Sequence, residues 1–229
     1  MSNILIRAAH GLTLVEKRIL MAALGQMSGI FKEVKISAQE YADTYDMPVK
    51  QAYEQLKYSA QNFRKRYLSF AEQDRKTIIN WEINWLSYIS YADNMGYVII
   101  KFNPDLMPHL CELQGQFTKY QLRQTCALRS IYSWRLLELF EQMRNKKDGN
   151  TSRDGWLHVT IEDFWHAMDV TVTHRKNFNQ TRVKVIEPAI RELQEKDGWL
   201  IEWDPIKEGR RVAHLRFRFD KNPQGRLAI

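Results

Sequence analysis

The chain has 229 residues, 44% of them hydrophobic, with seven Trp and ten each of Phe and Tyr, enough for one large or two small cores. Its net charge of +7 favours an anionic partner, either nucleic acid or a membrane surface. Two cysteines, Cys111 and Cys126, form no CxxC pair, and no apolar run approaches the ~20 residues of a membrane span or a signal-peptide core, so a soluble, cytoplasmic protein with reduced thiols is expected.

Leu12 to Leu24 reads as a first helix. Lys35 and Ile36 form a short strand running into Ser37, a preferred N-cap, with the acid Glu40 three residues on. Tyr41 and Tyr45 then share a helix face, and Asp46 ends the helix in a turn. Pro48 suits a first helical position and opens a longer helix with Ala52, Leu56, Ala60 and Phe63 on one face. Ile79, Trp81, Ile83 and Trp85 alternate with polar residues. A turn at Asp93–Gly96 leads into Tyr97–Phe102, which predicts one half-buried hairpin made of these two strands.

The same order then returns. Tyr120 to Arg144 holds a first helix, with Leu136, Leu139, Phe140 and Met143 facing inward. A strand at His158 runs into Thr160, with Asp163 three residues on, Phe164 and Met168 on one face, and Asp169 at the turn. The stretch His174–Leu193, HRKNFNQTRVKVIEPAIREL, follows as the longer helix, with Ile186, Ala189, Ile190 and Leu193 on one face. Gly198 stops it. Trp199, Ile201 and Trp203, a turn at Lys207–Arg211, and Leu215, Phe217 and Phe219 give a second hairpin. Each copy is helix, strand, helix-turn-helix and hairpin, so the fold class is α+β: two tandem winged-helix domains related by an internal repeat. The boundary is expected near Gly115, giving domains 1–115 and 116–229.

The charges fall on the second helices. Arg175, Lys176, Arg182 and Lys184 lie between Val170 and Ile186 with no acid among them, and Lys57, Arg64, Lys65 and Arg66 lie between Gln55 and Ala71 likewise. The second helix of a helix-turn-helix is the one that enters a major groove, and its start offers free N–H groups to phosphate. Amides suit adenine and Arg or Lys suits guanine. The candidate DNA-binding set is therefore Lys50, Gln51, Lys57, Gln61, Arg64 and Lys65 in the first unit. In the second it is Lys176, Asn177, Asn179, Gln180, Thr181, Arg182 and Lys184, with Arg210 and Arg211 at the tip of the wing. Pro188 costs ~3 kcal/mol inside a helix and predicts a kink that tilts the first turns toward the groove. Tyr97–Ile100 is either an edge strand able to pair with its copy across a two-fold axis or an interior strand.

Some pieces resemble a family. Leu12–Leu20 (LTLVEKRIL), Tyr132–Leu139 (YSWRLLEL) and Phe178 with Arg182–Leu193 (RVKVIEPAIREL) are similar, in that order, to the iteron-binding replication initiators of bacterial plasmids. Asp197-Gly198-Trp199 departs from the family's pattern, which bears on the register of the wing alone. The resemblance implies a monomer that binds repeated duplex sites at an origin, helps melt adjacent DNA, and recruits the host replicative helicase and other host initiation proteins. It also implies a homodimer, formed through the N-terminal domain, that represses its own promoter.

A repressor with two winged helices and no replication role shares every residue-level feature above, and so do winged helices that bind protein alone. A DNA-nicking enzyme would need closely spaced metal-binding histidines. His10, His109, His158, His166, His174 and His214 form no His-x-His and no His-x-x-x-His pair, and no phosphate-binding glycine loop occurs. No catalytic site, cofactor or metal is expected.

Overall fold

The computed structural model describes residues 11–26, 33–74, 77–91, 95–107, 126–144 and 155–221, the side chains of 70–74 and 144 excepted. The chain divides into two compact units, Met1–Cys126 and Ala127–Ile229. The expected boundary at Gly115, the Asp93 end of the first turn, His10, His109 and Cys111 lie outside the described residues.

Among the described residues the N-terminal unit begins with α1 (Leu14–Gln26), followed by β1 (Val34–Ser37), α2 (Ala38–Tyr45) and α3 (Val49–Phe63). A reciprocal capping box begins α1: Thr13 N donates to Glu16 Oε2 at 2.7 Å, and Glu16 N donates to Thr13 Oγ1 at 3.3 Å. Arg66 Nε donates to the same carboxylate at 3.0 Å, tying the end of α3 to the start of α1. Ser37 Oγ accepts from Glu40 N at 3.1 Å, the cap expected for α2. Asp46 ends α2 in the left-handed region at φ 48°, which a short polar side chain tolerates. Leu20, Ile36, Tyr41, Leu56, Phe63 and Trp85 meet in the core.

Four strands follow: β2 (Tyr67–Asp74), β3 (Thr77–Asn84), β4 (Leu86–Tyr91) and β5 (Tyr97–Phe102). Their pairing corrects one expectation and decides between two alternatives for another segment. The strand Ile79–Trp85 does not pair with Tyr97–Phe102. It belongs to β3, which pairs antiparallel with β2 from Tyr67↔Asn84 onward in a separate two-stranded ribbon. The partner of β5 within the wing is β4. Nor is β3 half-buried: Ile78 and Trp81 are 66% and 41% exposed, and Trp85, beyond its end, is the buried one. Second, β5 is no edge. The sheet order is β1-β5-β4, so Tyr97–Ile100 has hydrogen-bonded neighbours on both sides and cannot add a strand from another copy.

The C-terminal unit repeats the plan with α4 (Ile131–Arg144), β6 (Gly155–Thr160), α5 (Ile161–Ala167), a short α6 (Val172–Arg175) and α7 (Phe178–Thr181). A π-turn (Arg182–Ile186), α8 (Glu187–Asp197), β7 (Trp199–Glu208) and β8 (Arg211–Lys221) complete it. Thr160 Oγ1 accepts from Asp163 N at 3.0 Å, and Asp169 takes φ 49°, duplicating Ser37 and Asp46 of the first unit. Arg135 on α4 clamps this turn, its guanidinium donating to Ala167 O and Asp169 Oδ2, both at 3.3 Å. Burial pushes the Arg135 pKa down against the opposing pull of Asp169. The sheet order is β6-β8-β7, with Phe140 stacked on Phe219 at 4.0 Å between ring centroids. The Phe219 ring fills the space a Cβ on Gly155 would occupy, so only glycine fits there.

From Phe178 to Asp197 the chain is one helix with a widened turn inside it. The ring of Pro188 would strike the carbonyl of Lys184 in a regular α-helix. The π-turn lies just before it, with Glu187 N donating to Arg182 O. One inserted register step thus accommodates the proline, and the helix runs on to Gly198, whose φ of 64° forms the C-cap.

Candidate nucleic-acid interface

The exposed face of the C-terminal candidate helix, Phe178 onward, is built by two devices. Asn177, itself exposed, caps it, its Oδ1 accepting from Gln180 N at 3.0 Å. The π-turn then sets the outward register. Lys176, Asn177, Asn179, Arg182 and Lys184 are exposed and Gln180 is half-buried. Arg182 Nη2 donates to Asn179 Oδ1 at 2.9 Å, and its Nε lies 3.7 Å from Glu187 Oε1. A guanidinium held from both sides loses less freedom on meeting a base or phosphate.

Thr181 leaves the candidate set. It is fully buried, its Oγ1 accepts from Trp165 Nε1 at 2.9 Å, and its hydroxyl donates to His174 O at 2.8 Å. It fastens the reading helix to α5 and to the turn before it. Arg175, counted among the basic residues, is also structural: Nε donates to Val170 O at 2.6 Å and Nη2 to Trp165 O at 3.2 Å. Arg66 has the comparable role at Glu16. Arg210 and Arg211 are exposed beside Gly209, whose φ of 63° makes the tight turn of the β7–β8 wing.

In the N-terminal unit Lys50, Gln51 and Gln61 lie exposed along α3, Lys57 is half-buried, and Arg64 and Lys65 are exposed at its end. Tyr91 on β4 joins this helix to its wing. Its hydroxyl accepts from Gln61 Nε2 at 3.0 Å, and Lys57 Nζ sits 5.7 Å from its ring centroid. Sequence reasoning overlooked Tyr91 and also Tyr58, which is 71% exposed. Tyr58 stands one turn after the exposed Glu54 and two after Lys50, a spacing of four that was available to find it. Glu54 puts a carboxylate on this face, whereas the C-terminal helix has none before Glu187.

Comparison with known proteins decides the family. Residues 1–141 match the family described as Initiator Replication protein, WH1, and residues 160–219 match Initiator Rep protein, WH2. The chain belongs to the initiator replication protein family. Its two winged-helix units correspond to the WH1 and WH2 domains of that family. A solved structure described as Pi initiator protein in complex with iteron DNA superposes with a TM-score of 0.76 at 20% identity, over 96% of each chain. The PI protein of Escherichia coli is 23% identical over 154 residues, which is 60% of this chain and 48% of the relative, so the match spans about half of that protein. An uncharacterized 27.6 kDa protein of Escherichia coli is 22% identical over 91% of this chain and 90% of its own length. Among the described residues no helix is long and apolar enough to cross a membrane.

Proposed function

We infer that this initiator works at a plasmid origin by binding repeated duplex sites (iterons) as a monomer, with the C-terminal unit as the main sequence reader. The observation that carries this reading is the outward row Asn179, Arg182 and Lys184 on the second helix of the C-terminal helix-turn-helix, free of carboxylates from Val170 to Ile186. Side chains of these types pair with the base edges of a major groove, and Lys176 with the wing arginines supplies phosphate contacts. The Pi initiator solved with iteron DNA has the same fold, which supports the same class of target. The N-terminal unit adds contacts through Lys50, Gln51, Lys57, Gln61, Arg64 and Lys65.

The same chain dimerises through its N-terminal unit and in that form represses its own promoter. Because β5 has no free edge, the β2–β3 ribbon is the better surface. Tyr67, Ile78 and Trp81 stand exposed on it, and among the described residues no third strand joins this ribbon, which alone is marginal in water. Recruitment of the host replicative helicase and other host initiation proteins completes the proposed role, exercised in the cytoplasm without catalysis by this chain.

Footprinting on the DNA within and upstream of its own coding region tests the target. Roughly two helical turns, ~20 base pairs, should be protected per monomer, with affinity falling at a slope near −0.9 per phosphate neutralised. The quadruple Asn179→Ala, Gln180→Ala, Arg182→Ala, Lys184→Ala protein should lose the footprint. Wild-type protection by that variant would refute the assignment, and an origin-dependent replication assay separates an initiator from a plain repressor.

A further inference from the structure

We propose that Val183 reads the 5-methyl group of a thymine in the recognised site, and that the π-turn is what makes this possible. The proposal rests on the C-terminal helix being the base reader. Arg182, Val183 and Lys184 are consecutive, yet all three are exposed, while the next two residues, Val185 and Ile186, are buried. In a regular α-helix successive side chains are about 100° apart, so three in a row sweep more than half the circumference. The π-turn, with its i→i+5 hydrogen bond from Glu187 to Arg182, lowers the rotation per residue and gathers the three onto one side.

Val183 is 40% exposed at the centre of that group. Of its helical neighbours at three and four residues, Asn179, Gln180 and Glu187 are polar and only Ile186, turned into the core, is apolar. A β-branched apolar residue there has a weaker helix propensity than Lys, Gln or Arg and leaves part of its surface in water. Single exposed apolar residues are ordinary elsewhere on a surface. This one lies between two cationic side chains on a face whose polar members match base edges. The thymine 5-methyl is the apolar group that a major groove presents. Arg182, held by Asn179 and Glu187, fixes what lies beside it, so the thymine should adjoin the base pair that Arg182 reaches.

The test uses the full-length chain and a duplex selected by it from a random pool. Each thymine in turn is replaced by deoxyuridine, which pairs identically but lacks the methyl. Wild type should weaken about fourfold at one position, the worth of one buried methyl-sized group. Val183→Ala should weaken similarly on the thymine duplex and show no further loss on the deoxyuridine one. Val183→Thr, which keeps the branched shape and one methyl, should retain the thymine-dependent step. The proposal is overturned if wild type is indifferent to every replacement, or if Val183→Ala keeps the wild-type response. An Arg182→Ala, Lys184→Ala protein separates the two levels. If it binds the selected duplex as wild type does, the reading helix itself is misassigned. If it loses affinity while wild type ignores every deoxyuridine, the role of Val183 alone falls.

Discussion

Thr181→Val should destabilise the C-terminal unit without altering which bases are preferred. The substitution keeps the shape and removes one oxygen, and that oxygen serves two bonds. Trp165 Nε1 loses its acceptor at 2.9 Å, and the His174 carbonyl loses its donor at 2.8 Å. A hydrogen bond is worth about 0.5–1.5 kcal/mol net, and a partner left buried and unpaired costs about 1–3 kcal/mol. Trp165 and His174 are only half-buried, so water can reach them in part. The two losses together should come to about 2–3 kcal/mol, between those limits. For a unit of this size the melting temperature should fall on the order of 10 °C. Calorimetry measures the melt, and selection from a random pool measures base preference. Affinity should drop modestly, because the bonds fasten the reading helix to α5, while the selected sequence stays the same. A variant that melted like wild type but selected a different sequence would refute this reasoning and return Thr181 to the reading surface.

Other outcomes follow from single contacts. Gly155→Ala forces the Phe219 ring away and should cost about 1–3 kcal/mol of overpacking, read as a lowered urea midpoint for the C-terminal unit; an unchanged midpoint would mean the ring moves freely. Burial pushes the phenols of Tyr41 and Tyr45 up, so above pH ~10 the folded unit retains protons the unfolded chain has lost. Stability of the N-terminal unit is therefore full below pH ~10 and falls above it by up to about 1.4 kcal/mol per pH unit for each tyrosine. Tyr41→Phe should flatten that slope, and a urea midpoint insensitive to pH across this range would contradict the burial. Trp81→Lys on the β2–β3 ribbon should shift the full chain toward monomer in sedimentation and weaken promoter repression while sparing origin binding; an unchanged association constant would exclude the ribbon.

The repeat was legible because its signals are local. Ser37 and Thr160, each with an acid three residues on, announce two helix starts, and Asp46 and Asp169 occupy two left-handed turns at φ 48° and 49°. The inward faces Ala52, Leu56, Ala60, Phe63 and Ile186, Ala189, Ile190, Leu193 were equally readable, since helix period alone fixes them. Strand partners are not local. The alternation of Ile79, Trp81 and Ile83 marks a strand but does not say what lies beside it, and Tyr67–Asp74 carries no Asn-Gly or Asp-Gly turn to announce a hairpin. Thr181 failed for a related reason. A hydroxyl beside Arg182 looks like a reader until the partner, Trp165, is seen to reach it from another helix. The π-turn is one register step, and no composition or period encodes it. Pro188 marked the place but not the form of the accommodation.

The second helices of the two helix-turn-helix units share a plan and differ in chemistry. In the N-terminal unit, α3 is a regular helix from Val49 to Phe63, and periodicity spaces its outward residues as Lys50, Glu54, Tyr58 and Gln61. An acid stands among them, which repels phosphate and tolerates a cytosine amine at best. Two of its ties, Gln61 and Lys57 to Tyr91, run sideways to its own wing. In the C-terminal unit Arg182, Val183 and Lys184 stand exposed in the π-turn, the acid that follows them, Glu187, is paired with Arg182, and the ties run along the helix, Asn179 to Arg182 to Glu187. On the proposed assignment the first arrangement suits a braced cationic surface that holds backbone, and the second a dense row of distinct side chains that discriminates bases. If footprints bear out the proposed assignment, a site read by two such unlike helices has no reason to be palindromic, and the sequence selected by the full-length chain should lack two-fold symmetry.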